Sequence, residues 1–202
     1  SYVLLGGLVW LGFGAFGALE PLYFRDTLHT QVSAIGWVNA VFAIGMIAGS
    51  ALLTRLPART VSARGLALMS VLTGLGALLY LAWPDVRLTA AGGFVWAIAI
   101  GILDPLSRTL IHRDTPHKLV GRVVGAGETL RTFGELAPLA VAPAAAALLG
   151  VRETMIAGGL LTAALSAATW FEARTVDRLT AGAAPVPIAP AHPSGEPLSP
   201  NP

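Results

Sequence analysis

The chain contains no cysteine, so disulfide bonds and thiolate–metal sites are both closed to it. Charge is scarce as well: 12% of residues are charged, where an ordinary soluble domain carries about 25%. Basic residues are dispersed rather than clustered, with Lys118 the single lysine among 13 basic side chains. The net charge of +2 therefore reads as a set of topology signals and not as a nucleic-acid surface. Catalytic signatures are missing too. No Ser-centred GxSxG and no cysteine nucleophile exists for a hydrolase. His112-Arg113-Asp114 has Leu119 where a kinase catalytic loop needs asparagine. "GAGETL", starting at Gly125, lacks the third glycine of a dinucleotide fingerprint and follows no strand. His112 and His117 are too far apart in sequence to share a helical face toward a metal. The reading is not an enzyme, with no cofactor and no metal.

What the chain has instead is apolar length. Hydrophobic residues make up 54% of it, the mean hydropathy is +0.69, and charge-free stretches cover 1–19, 27–54, 65–84, 88–103, 136–151 and 154–171. Each approaches the ~20 residues that carry a helix across a ~30 Å hydrocarbon core. Membrane strands would show short segments with strict alternation, and these stretches are apolar on every side. A soluble helical bundle would need polar outer faces, which stretches such as "AGGFVWAIAIGIL" do not offer. The expected fold class is all-α: a polytopic membrane protein with six transmembrane helices near 2–22, 33–54, 64–83, 88–108, 122–149 and 154–171.

With the start of the chain on the cytoplasmic side, the inner connections hold Arg55, Arg59, Arg64, Arg108, Arg113, Lys118, Arg122, Arg174 and Arg178. The outer connections hold only Arg25, Arg87 and Arg152, a clear positive-inside asymmetry that places both termini in the cytoplasm. Pro57, Pro84 and Pro116 punctuate connections, and Trp83 and Trp170 fall at expected interfaces, with Trp10, Trp37 and Trp96 further along the spans. Gly45 and Gly49 form a GxxxG pair in the second span and Gly6, Gly7, Gly12, Gly14 and Gly17 stud the first, positions where helix backbones can approach closely. The bundle is expected over 1–175. Over 176–202 the composition turns rich in Pro and Ala, as expected of a disordered cytoplasmic tail, whether a partner's ligand or an unselected extension. The chain enters a span almost at once without an initiator methionine or a signal-peptide pattern, and so reads as part of something longer.

The exception to this apolar character is "GAGETLRTFGELAP" in the fifth span. Counted from Arg122 at a 1.5 Å rise, Glu128 lies about 9 Å and Glu135 about 20 Å into the membrane. The two fall about 20° apart around the helix, with Arg131 within roughly 60° of both. Spacings of three and four residues let Arg131 pair with either carboxylate, leaving one negative charge over. That surplus suits a water-filled cavity in which a glutamate takes a proton or a cationic group while Arg131 changes partner. The alternative is a paired triad that only locks the helix against a neighbour. Asp104, beside Pro105 at the inner end of span four, is a second candidate for the substrate or proton pathway, with pairing to Arg108 the favoured role. Glu20 precedes Pro21 at the outer end of span one, facing a vestibule or marking the membrane edge. Asn39 is a polar group inside span two, a pathway candidate of the kind that more often joins helices than contacts a ligand.

Two long segments resemble the major facilitator superfamily. "LEPLYFRDTLHTQVSAIGWVNAVFAIGMIAGSALLTRL" looks like that family's seventh and eighth spans, and "SRTLIHRDTPHKLVGRVVGAGETLRTFGELAPLAVAPAAAALLG" like the end of its tenth span, a basic loop and its eleventh span. "LVGRVVG", with Arg122, is similar to the segment opening the eleventh span in the siderophore and macrolide exporter branch. The inner loop after span two departs from the family pattern. It carries Arg55 and Arg59 but no acid between Gly49 and Gly65. The resemblance implies the C-terminal six-helix half of a twelve-span carrier working by alternating access, a proton-coupled antiporter in the bacterial inner membrane engaged in efflux of small hydrophobic or amphipathic compounds. It implies as partners the lipid bilayer, a small-molecule substrate and an N-terminal six-helix bundle, from the same longer chain or a second subunit, with no nucleic acid. The other reading is a non-transporting scaffold or a degenerate half-transporter whose charges are structural.

Overall fold

Helix boundaries follow from local chemistry. Six helices follow one another: α1 (Tyr2–Asp26), α2 (Val32–Leu53), α3 (Ala63–Tyr80), α4 (Val86–Asp114), α5 (His117–Leu149) and α6 (Val151–Gly182). This computed structural model describes residues 2–57 and 60–182, with side chains described at residue 10 and over 14–31, 33–57 and 60–168. Ser62 caps α3 by accepting from the Gly65 amide at 3.1 Å. Asp85 caps α4 through the amides of Arg87 and Leu88 at 2.8 and 3.1 Å. Pro116 stands immediately before α5, where the first helical amides need no intrahelical acceptor. Gly150, at φ 101°, ends α5 in a conformation that side-chain-bearing residues rarely adopt. The expected turn prolines Pro57, Pro84 and Pro116 all lie between helices.

Several helix ends differ from expectation. Helix α4 runs to Asp114 and α5 starts at His117, so Thr115 and Pro116 alone separate them, and the basic connection expected over 109–121 is almost wholly helical. A helix of 29 residues is about 43 Å long at 1.5 Å per residue. That exceeds a ~30 Å hydrocarbon core, and the basic residues of this region are helical on both sides of the turn, with Arg113 in the last turn of α4 and Lys118 and Arg122 in the first two turns of α5. Helix α1 likewise continues to Asp26, and α6 to Gly182, beyond the boundary expected near 175. Arg59 and residues 183–202 lie outside the described residues.

Close contacts give the direction of each helix. Trp10 and Gly14 of α1 meet Arg131 and Glu135 of α5 in the same order, so these helices run parallel. Gly45 and Gly49 of α2 lie against Phe94 and Ile98 of α4, again in the same order. Gly74 and Leu78 of α3 meet Ala163 and Gly159 of α6 in reverse, and the pair is antiparallel. Gly76 and Leu79 of α3 meet Trp96 and Gly92 of α4 in reverse as well, and with short turns joining successive helices the chain direction alternates from helix to helix. The principal pairings repeat as well: α1 on α5 matches α4 on α2, α1 on α6 matches α4 on α3, and α3 on α6 matches itself. Three alternating helices are an odd number, so the second triplet runs opposite to the first.

The Gly45/Gly49 pair does sit at a helix crossing. A Cβ on Gly49 would run into the Ile98 backbone, one on Gly101 into the Met46 backbone, and one on Gly14 into the Glu135 backbone. Those crossings are set by backbone contact, which only glycine permits. Pro105 adds a further tie. It has no amide to give the Gly101 carbonyl, and Ser50 of α2 donates to that oxygen at 3.0 Å instead. Three further buried hydroxyls bond to carbonyls of their own helix, Ser70 to Leu66 at 3.0 Å, Thr73 to Met69 at 2.9 Å and Thr162 to Gly158 at 3.0 Å.

The main core joins Phe16, Leu19, Tyr23 and Phe24 of α1 to Tyr80, Trp96, Ile100 and Met155. A second cluster at the opposite end packs Ala63, Leu66 and Ala67 on Leu103, Leu106 and Leu110. The outside is apolar: Trp37, Ile44 and Ile47 of α2, Phe133, Val141 and Leu148 of α5, and Leu160 and Leu161 of α6 are all exposed. Among the described residues, α2 to α5 are long and apolar enough to cross a membrane by length and composition.

Candidate functional site

The three charges of α5 do not form an isolated triad. Arg131 Nε reaches Glu135 Oε1 at 3.2 Å, the expected pairing one turn along the helix. Glu128 turns away from Arg131 and accepts from Arg108 Nη2 of α4 at 3.1 Å. Arg108 also holds Asp104 at 3.5 Å, as expected of that pair. Asp104 in turn faces Arg131 Nη1 at 3.8 Å. The five side chains form one line of alternating sign, Glu128, Arg108, Asp104, Arg131, Glu135, strung across the seam between α4 and α5.

Why Arg131 leans toward Glu135 and Asp104 is visible on α1. Its guanidinium carbon stands 3.8 Å from the centroid of the Trp10 ring, a cation–π contact that draws the side chain off the Glu128 side. One turn on, Gly14 lets α1 come into contact with the backbone of Glu135. The seat of Arg131 is thus made by three helices: an indole from α1, a carboxylate from α4 and a carboxylate from α5. Its side chain is 32% exposed, against 52% for Arg108 and 50% for Glu128. The line therefore runs from a more open end to a more enclosed one.

Three carboxylates against two guanidiniums leave one negative charge. Helices α4 and α5 otherwise touch lightly, and the pairs Arg108–Glu128 and Arg131–Asp104 are the ion pairs that bridge them. The matching crossing in the other half of the repeat, α2 on α4, has no such charge. Where α1 meets α5 at Glu135, α4 meets α2 at Met46.

Glu20 belongs to a separate place. It accepts from the Tyr80 hydroxyl at 2.9 Å, beside a box of rings in which Phe16, Tyr23 and Trp96 lie 5.7 to 6.2 Å from Tyr80 between centroids. This places Glu20 toward the C-terminal end of α1, away from Trp10. Asn39 is exposed on α2 and joins neither group. Arg55 and Arg122 are exposed and take no part in the ion-pair line. No three His, Asp or Glu side chains among the described residues converge to hold a metal ion.

Sequence reasoning reached Glu128, Arg131, Glu135, Asp104 and Arg108 but not their union into one line, nor the roles of Trp10 and Tyr80. A usable signal existed for Trp10, since Trp10 and Gly14 are one turn apart, as Arg131 and Glu135 are. The Ser50 bond was also traceable, because a proline inside a membrane helix leaves a carbonyl that some neighbouring hydroxyl must satisfy.

Comparison with known proteins gives one result for the whole chain. A family model described as Major Facilitator Superfamily matches residues 2–200. No curated protein and no solved structure matches the chain.

Proposed function

The chain belongs to the major facilitator superfamily, a family of membrane transporters, and from that premise we propose that it forms the C-terminal six-helix half of a proton-coupled carrier that exports small hydrophobic or amphipathic compounds. The observation that carries the coupling is the ion-pair line with its single unbalanced negative charge. Efflux and the siderophore and macrolide exporter branch rest on the "LVGRVVG" resemblance around Arg122. The inverted repeat of α1–α3 and α4–α6 supports the half-carrier reading, because such repeats place substrate and ion sites near the bilayer midplane. All six helices then cross the bacterial inner membrane with both termini in the cytoplasm, and the second bundle comes from the same longer chain or another subunit.

The mechanism follows from charge balance. One proton on any of the three carboxylates leaves two neutral pairs, but the three positions differ in what they hold together. On Glu135, the proton keeps both bridges between α4 and α5, Arg108–Glu128 and Arg131–Asp104. On Glu128 it removes the first bridge, and on Asp104 the second. A proton moving along the line therefore sets how firmly α5 is tied to α4, and Arg131 is the group that changes partner. A small difference in binding between two arrangements is enough to shift such an equilibrium. Substrate and proton meet at this seam, and the bundle rocks against its partner as the tie is made and released.

Transport by the full carrier in proteoliposomes under an imposed proton gradient tests this. Glu128→Gln, Glu135→Gln, Asp104→Asn and Arg131→Ala are expected to abolish gradient-driven accumulation, a loss of at least about tenfold, since each removes a member of a coupled unit. Accumulation that stays intact in all four overturns the proposal. A protein that binds the bilayer but shows no gradient-dependent flux of any compound is a scaffold instead.

A further inference from the structure

The seat of Arg131 has the makings of a cation site with a cation already in it. An aromatic face and two carboxylates converge on one positive group. Trp10 lies 3.8 Å beneath the guanidinium carbon, Glu135 bonds Nε at 3.2 Å, and Asp104 faces Nη1 at 3.8 Å. Such a combination is the chemistry by which proteins hold organic ammonium groups. The line of charges also has a place for Arg131 to go. Glu128 lies one turn back on the same helix, within reach of Arg131 and held at present by Arg108. The unbalanced negative charge means that one more monovalent cation brings the line to neutrality, where a neutral or anionic compound does not. The seat also opens to its surroundings, the Arg131 side chain being 32% exposed.

We propose that Arg131 is a tethered occupant of a substrate seat, and that the compound this carrier takes is an amphipathic organic cation whose positive group displaces Arg131 from Asp104 and Glu135 while its apolar body lies on Trp10. Displaced, Arg131 re-pairs with Glu128. That exchange breaks the Arg131–Asp104 bridge between α4 and α5, so cation binding acts on the same tie that the proton controls. Trp10 then decides specificity, as the surface shared by the native guanidinium and the substrate's apolar body. The proposal rests on the transporter reading for the seam's being the substrate path, but its binding chemistry is tested without any gradient.

The test is equilibrium binding to the full-length protein purified in detergent, with tetraphenylphosphonium as the cation and tetraphenylborate as its isostere of opposite charge. The cation is expected to bind at least about tenfold more tightly than the anion. Trp10→Leu should weaken cation binding about fivefold by removing the ring. Arg131→Gln should tighten it about tenfold, because the competitor and its like charge are both gone. This last sign is the decisive one, since a merely structural Arg131 would leave binding unchanged or weaken it. Should Arg131→Gln fail to elute as a folded, helical species, Arg131→Lys serves in its place. An ammonium lacks the planar stacking of guanidinium, and the expected result is tightening by about threefold. Equal binding of the two isosteres, or weaker cation binding on loss of the guanidinium, overturns the seat. Gradient-driven transport by the native carrier, together with a cation affinity that Arg131→Gln leaves unaltered, sinks this inference alone, while the expected binding pattern without transport by the native carrier sinks the carrier reading and leaves the seat standing.

Discussion

Tyr80 shows how much one polar atom can matter in an apolar bundle. It is 2% exposed, and its hydroxyl reaches Glu20 across from α3 to α1. Tyr80→Phe keeps the ring contacts with Phe16, Tyr23 and Trp96 and deletes only that bond. The expected loss is about 1–2 kcal/mol for a hydrogen bond to a carboxylate, read as a lower denaturation midpoint in detergent. In a Glu20→Gln background the same substitution should cost less, and full additivity would mean that the two side chains do not interact. Asp104 carries the larger consequence at this scale. It is the member of the ion-pair line that touches both guanidiniums, so Asp104→Asn is expected to impair transport at least as severely as Glu128→Gln, which loses one partner. The ordering is read from initial rates at saturating substrate.

Among the elements, the crossing of α2 and α4 offers the sharpest test. Ser50 holds the Gly101 carbonyl that Pro105 leaves unserved. Ser50→Ala should cost about 1 kcal/mol, measured by thermal unfolding. Pro105→Ala supplies the missing amide, so in that background Ser50→Ala should cost close to nothing. Equal costs in both backgrounds would show that the carbonyl does not depend on Ser50. Gly49→Leu, at the same crossing, forces a side chain into the Ile98 backbone, and an overpacking loss of about 1–3 kcal/mol is expected. Gly17, where a Cβ would meet nothing within 4 Å, is the control: Gly17→Ala should be neutral or slightly stabilising, as helix propensity dictates.

For the whole molecule, the alternation of six helices predicts which turns share a side of the membrane. These 202 residues hold no cysteine, so each introduced thiol is unique within them. Ala82→Cys in the turn between α3 and α4 is expected to react with an impermeant maleimide from outside intact cells. Thr54→Cys after α2 and His117→Cys at the start of α5 should react only after the membrane is opened. Labelling of all three from one side would break the proposed orientation. An immunoblot of the source membrane adds the partner: a band well above the 20.8 kDa of this chain places the second bundle on the same polypeptide, and a band at that mass makes it a separate subunit.

The sequence by itself determined the solvent, the helical class and the periodicity, because each depends on local composition. Apolar runs of membrane length leave helix as the open choice, and Pro57, Pro84 and Pro116 fall where it stops. It also put Glu128, Arg131 and Glu135 on one face of one helix, since that follows from 3.6 residues per turn. Partner choice lay beyond it. Whether Arg131 turns to Glu128 or to Glu135 is decided by Trp10 and Asp104, residues more than a hundred and more than twenty positions away in sequence. They arrive only when Gly14 lets α1 close onto α5 and when α4 comes to lie across the seam. An ion pair is a relation between surfaces, and the tertiary structure alone brings those surfaces within reach.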